Sequence, residues 1–204
     1  MKLFQPRPSF NAFKDEVRRF VRRPLAQLEP SKDLITLAGV VMEVRAKMTA
    51  RGKIAFVLLD DGTTPREVSV FSEVFDNNRQ RIVVDEVLIV EAKVSNDDFS
   101  GGLRIVADKL MTLGEARGRF ARALQLRLNG EVGEAGGPVA AVDRLQAALE
   151  PFREGDCQLR VRYRNAQAEG DLPLGPNWRV RPDDSLLDSL REWLPPGAVE
   201  VIYP

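Results

Sequence analysis

Between Leu34 and Thr112 the chain alternates apolar and polar residues in five runs, and one helical stretch interrupts them after the third. "LITLAGVVMEVRAKM", "IAFVLLD", "REVSVF", "EVLIVEAKVS" and "LRIVADKLM" have the two-residue period of half-buried strands. Turn chemistry separates them: "TARGK", "DGTTP" and the loop "NDDFSGG" are rich in Gly, Asp, Asn and Thr. "SEVFDNNRQRI", between runs three and four, has helical spacing, with Ser72 as its expected cap. Gly39 inside the long first run predicts a bulge or a strongly curved strand. An order β-β-β-α-β-β predicts an OB-fold, a five-stranded Greek-key barrel with one helix.

The flanks read differently. "SFNAFKDEVRRFVRR" spaces Phe10, Phe13, Val17, Phe20 and Val21 as a helix does, with Ser9 or Asn11 as cap and Pro24 as terminator. "PLAQLEPSKD" is a connector, so residues 1–33 form a helical lead-in and 34–113 the barrel. From 114 to 204 strands and helices mix. "TLGEARGRFAR" is a short helix, "ALQLRL" and "CQLRVRYR" are strands, and "VAAVDRLQAALEPF" is an amphipathic helix with Val139, Val142, Leu145, Ala148 and Leu149 on one side. "NWRV" is expected as a short strand, "DDSLLDSLREWL" as a helix with acidic caps, and "AVEVIY" as a final, edge strand. The fold class is therefore mixed: an N-terminal all-β OB-fold, then a small α+β domain.

Composition removes whole classes of chemistry. The 204 residues include no histidine and one cysteine, Cys157. Imidazole bases, Ser-His triads and structural zinc sites are out of reach, and the single thiol suits a cytoplasmic setting. No cofactor or small-molecule substrate is expected. No apolar run approaches the roughly 18–20 residues a membrane helix needs. Thirty basic and thirty acidic residues cancel, so nucleic-acid binding requires a local patch.

Three Asp-Asp pairs, Asp60-Asp61, Asp97-Asp98 and Asp183-Asp184, invite a two-metal hydrolase or nuclease reading. Each lies at a turn or helix start, where aspartate binds its own backbone, and that use is expected here. Arg45, Lys47, Arg51 and Lys53 flank the first hairpin loop, with Phe56 close behind. In an OB-fold that loop and the loop joining strands four and five form the oligonucleotide rim, where cations follow phosphates and aromatics stack on bases. Arg66 and Arg104 extend the track. Gly101 and Gly102 serve the turn of the second loop, and Phe99 packs beneath it. Arg160, Arg162 and Arg164 lie on one face of a strand with Tyr163 on the other, buried one, and Trp178 and Trp193 are core residues.

"DLITLAGVVMEVRAKMTARGKIAFVLLDD", "EVSVFSEVFD", "LIVEAKVSNDDFSGGLRIVADKLMTLGEAR" and "LLDSLREWL" resemble the C-terminal part of the bacterial DNA polymerase III alpha subunit. The resemblance implies an OB-fold contacting single-stranded template DNA, then a domain that binds the clamp-loader tau subunit within the replisome. It assigns the basic loop to the template, and Leu186, Leu190, Trp193, Val199, Val201 and Tyr203 to the tau-binding domain. It also implies that the palm aspartates and the internal clamp-binding motif lie upstream, so the chain itself is non-catalytic. "QPRPS" stands where the family has a Gly-His-Pro motif, which points to an excised fragment, a truncated frame or a separate protein derived from the polymerase tail. The alternative is a protein-interaction module that never touches DNA.

Overall fold

The computed structural model describes residues 13–49, 52–98, 101–129, 137–153 and 155–204, with backbone alone for 137–140. The chain divides into two compact units, Met1–Leu113 and Gly114–Pro204.

In the first unit β1 (Ile35–Thr49), β2 (Gly52–Asp60), β3 (Arg66–Phe71), β4 (Val87–Asn96) and β5 (Leu103–Thr112) close a barrel in the order β1-β2-β3-β5-β4. β1 closes it because fifteen residues suffice for two pairings: Ile35–Val40 with β4, and Val40–Thr49 with β2. The register slips between Val41 and Glu43, so the bulge falls three residues beyond Gly39, at the exposed Met42. Gly39 serves a different purpose. A Cβ there would lie 3.0 Å from the Asp60 backbone nitrogen, so β1 approaches the end of β2 only without a side chain.

Alternation then sorts the residues. Leu37, Val41, Ala55, Val57, Leu59, Val68, Val70, Val90, Ala92, Val94 and Ile105 fill the barrel. Helix α2 (Ser72–Asn78) plugs one end with the buried Phe75. It is shorter than the expected run, continuing as a 3-10 turn over Arg79–Arg81, and Ser72 makes no cap bond.

The lead-in is less helical than its periodicity predicts. Helix α1 covers Lys14–Val17, and single turns carry the chain to Val21; Ser9, Phe10 and Asn11 lie outside the described residues. The segment nevertheless packs on the barrel, since Leu25 and Leu28 join its core. The buried Asp61 holds it there, accepting from the Leu25 N–H at 2.8 Å, the Thr63 N–H at 3.0 Å and the Thr63 hydroxyl at 2.5 Å. Asp60 accepts from the Gly62 N–H at 2.8 Å, so this pair serves its turn.

The second unit is a four-stranded sheet, β8-β7-β6-β9: β6 (Ala123–Asn129), β7 (Gln158–Arg164), β8 (Glu169–Pro173) and β9 (Val199–Ile202). β6 and β7 are parallel and joined by helix α4 (Gly137–Leu149), while β9 is an edge strand, paired antiparallel with β6. Helix α3 (Leu113–Phe120) precedes β6, and α5 (Asp184–Arg191) packs its Leu186, Leu187 and Leu190 into the core with Leu124, Leu126 and Leu159. Asp183 caps α5 by accepting from the Leu186 N–H at 3.1 Å, and Asp184 pairs with the buried Arg117 at 2.6 Å.

Four expectations change here. Val142 is 61% exposed, so α4 buries a narrower stripe of Leu145 and Leu149. "NWRV" is a 3-10 turn over Pro176–Trp178, followed by a lone bridge from Val180 to Cys157. Tyr163 lies near the exposed end of β7, not on a buried side. Trp178 and Trp193 sit half-buried at the core margin, with the guanidinium groups of Arg153 and Arg144 over their rings at 5.0 and 4.9 Å.

Cys157 is buried in this core, and burial pushes its thiol up to about 11 from an ordinary 9.0. A neutral thiol folded and a more acidic thiol unfolded give stability that is present below pH 9.0 and lost as pH rises toward about 11. Urea unfolding of the wild type therefore shows a decline across that window that is absent in Cys157→Ala.

Candidate nucleic-acid interface

The outer face of the barrel follows from pairing register. Inward positions alternate with outward ones, so Arg45, Phe56, Ser69, Val106 and Lys93 stand side by side across β1, β2, β3, β5 and β4. Directly opposed residues have Cβ atoms about 4.5–5.5 Å apart, which makes this a continuous row of side chains. One step toward the first hairpin, Lys47, Ile54 and Phe71 form a second row. One step the other way, Glu43, Leu58 and Glu67 form a third. Arg104, opposite Ser95, continues the outward face on β5.

Charges of both signs lie on this surface. Arg45 bonds Glu67 and lies 3.4 Å from Glu43, so the acidic row largely spends its charge. Lys47, Lys93 and Arg104 are exposed and make no ion pair with any described residue. Cations without a described ion-pair partner therefore stand on β1, β4 and β5, while the exposed Asp108 shares the outward side of β5 with Arg104. Phe71 is 41% exposed, and Phe56 is half-buried beside Arg45. Beyond Val44 the β1 arm is exposed on both faces, with Met48 at 76%, so the hairpin projects past the barrel.

The expected site residues divide accordingly. Arg45, Lys47, Phe56 and Arg104 share the outer face. Arg51 lies outside the described residues, as does Phe99. Lys53 has turned to the barrel end, with its ammonium 4.8 Å from the centre of the Phe75 ring. Arg66 shares the inward parity of Val68 and Val70, and its Nε donates to the Leu25 carbonyl at 3.2 Å. Two residues of this face escaped the sequence reading, Phe71 and Lys93. The alternation Glu67-Ser69-Phe71 was a usable signal, since it ends a polar strand face with an aromatic ring.

The described ends of the second loop are tied together. Asp97 exchanges backbone hydrogen bonds with Gly101 and Gly102 at 2.9 Å each, and Gly101 takes φ +69°. Among the described residues no cluster of His, Cys, Asp or Glu has metal-binding geometry. No described helix is long and apolar enough to cross a membrane.

In the second unit Leu186 and Leu190 are fully buried, holding α5 to its own sheet. Val199 and Val201 are half-buried on the edge strand β9, Tyr203 is half-buried just after it, and Trp193 is half-buried under Arg144.

Comparison with known proteins agrees with this division. Residues 35–113 match the family model of the OB-fold nucleic acid binding domain, and residues 144–194 match that of the DNA polymerase III subunit alpha, C-terminal domain. The chain is similar to DNA polymerase III subunit alpha of Pseudomonas aeruginosa, 37% identical over 183 residues, which is 88% of this chain and 15% of that one. The same subunit of Neisseria meningitidis serogroup A is 38% identical over 196 residues, 94% of this chain and 16% of the relative. That of Escherichia coli K12 is 35% identical over 197 residues, 95% and 17%. The chain thus spans about one-sixth of the length of these relatives.

Proposed function

Because the chain belongs with the C-terminal region of the bacterial DNA polymerase III alpha subunit family, we propose that it is a non-catalytic module of such a polymerase. Its barrel binds single-stranded template DNA, and its second unit docks the clamp-loader tau subunit. The observation that carries the DNA reading is the outer-face array, in which Lys47, Lys93 and Arg104 share one outward face with Phe56 and Phe71. Cations spaced along a track neutralise phosphates, and aromatic faces accept bases of any sequence, which suits a template contact.

The docking half is supported by the family match over 144–194 and by the accessible β9 edge. An edge strand accepts a partner's strand through main-chain hydrogen bonds. Trp193, Val199, Val201 and Tyr203 are the accessible candidates, whereas Leu186 and Leu190 act through the core beneath them.

A second reading, protein interaction without DNA, draws on the Arg45 pairing with Glu43 and Glu67 and on the zero net charge. Titration of labelled oligo-dT with the whole chain at low salt separates the two. Saturable binding that weakens as salt rises supports the template contact; no binding leaves docking alone.

A further inference from the structure

The lead-in carries a charge pattern that the barrel face does not absorb. Between Lys14 and Arg23 stand five cations, Lys14, Arg18, Arg19, Arg22 and Arg23, against Asp15 and Glu16, in a chain whose net charge is zero. The turns from Lys14 to Val21 are held by Arg18 N–H to Lys14 carbonyl and Val21 N–H to Val17 carbonyl bonds, at 3.0 and 2.8 Å. These i,i+4 steps bring Lys14 and Arg18 to one side, while Val17 turns inward and is buried.

That side borders a cleft of about 350 Å³ against the barrel, where Lys14, Arg18, Arg22 and Arg23 meet Ala38 of β1 and the Asp61-Thr63 turn. Among the described residues Asp61 is the one carboxylate lining it, and its two oxygens are held by three donors from Leu25 and Thr63. Arg23 bonds Glu29 at 2.9 Å, and Arg18 and Arg22 have no ion-pair partner among the described residues. Two free guanidinium groups, an ammonium and a fixed concave wall suit a tetrahedral oxyanion, because a guanidinium fork matches phosphate oxygens in pairs.

We infer that this cleft is a phosphate-binding site, whose ligand is a phosphodiester of the same nucleic-acid strand that crosses the barrel face. The inference rests on the template-contact reading for its source of phosphate. Ala38 and Lys47 belong to one strand, β1, nine residues apart, so their separation along it is about 30 Å. The cleft is thus a second, distant contact that only a long oligonucleotide reaches.

The test uses the whole chain, a 20-nucleotide oligo-dT and inorganic pyrophosphate. Arginine modification by phenylglyoxal is read at each residue by mass spectrometry. Saturating oligo-dT slows modification of Arg18 and Arg22 at least fivefold. The Arg18→Gln/Arg22→Gln variant binds with a slope of log K against log salt shallower by about 1.4, and the corresponding double lysine variant restores most of it. Oligo-dT binding with both arginines unprotected and the slope unchanged overturns the inference and leaves the template contact standing. No oligo-dT binding, with pyrophosphate still protecting both arginines, removes the template contact and supports the site with free phosphate as its source. No oligo-dT binding, with protection by neither ligand, overturns both.

Discussion

Replacing Gly155 with alanine destabilises the second unit by about 3 kcal/mol or more, the upper range for forcing atoms into filled space. A Cβ at this position would lie 2.1 Å from both the carbonyl carbon and oxygen of Val180, and 2.2 Å from the Arg181 nitrogen. All three are backbone atoms and cannot rotate away. They are also committed: Val180 exchanges backbone hydrogen bonds with Cys157 at 2.9 and 3.2 Å, and the Arg181 N–H donates to the Phe152 carbonyl at 2.7 Å. Relief of the clash therefore separates the bridge that seats Cys157 and Val180, both buried in the core. Gly175→Ala is the control. Nothing lies within 4 Å of its Cβ, and φ there is −63°, so alanine is neutral or stabilises by about 0.4–1 kcal/mol. Urea denaturation monitored by tryptophan fluorescence compares the two, since Trp178 and Trp193 both pack against that core.

The second large effect concerns ligand, not stability. Lys47→Ser/Lys93→Ser/Arg104→Ser removes three exposed cations from three different strands of the outer face. None is paired with a described residue, so folding changes little. Each phosphate neutralised on a single strand adds about 0.7 to the salt slope, so the triple variant binds with a slope shallower by about 2. The wild type then loses roughly 20-fold more affinity than the variant between 50 and 200 mM salt. Arg45→Ser has a smaller effect, because Glu43 and Glu67 already neutralise the guanidinium. Fluorescence anisotropy with labelled oligo-dT measures both.

The barrel was legible because its strands announce themselves locally. "REVSVF" alternates without a break and coincides with β3, and the Asp183 cap was visible as an acidic pair before an apolar helix. β8 was not legible: all five of its residues are exposed, so no apolar period marks it, and it exists by pairing with β7. The strand expected at "NWRV" failed because Pro176 opens a 3-10 turn and Val180 alone reaches a bridge. The helix α1 is short, and Val17 is its one buried residue.

The candidate face was half legible. Arg45, Lys47 and Phe56 belong to a hairpin, where neighbours in sequence are neighbours in space. Phe71 joins them through the β2–β3 pairing, opposite Ile54, whereas Lys93 joins through the parallel β3–β5 contact and the barrel closure, which no local pattern reports. Arg66 and Lys53 read as part of the same cationic track, yet strand parity turns both inward, one to the Leu25 carbonyl and one over Phe75. Parity was available in the sequence; the inward side of each strand became certain once its core partners were known.

The central claim is that single-stranded DNA lies across the outer face of the barrel. Its most direct test is oligo-dT titration of the wild type and the Lys47→Ser/Lys93→Ser/Arg104→Ser variant, each from 50 to 200 mM salt. Saturable wild-type binding, with a salt slope that falls by about 2 in the variant, is the predicted result. Equal affinity and equal slope for the two proteins would contradict it.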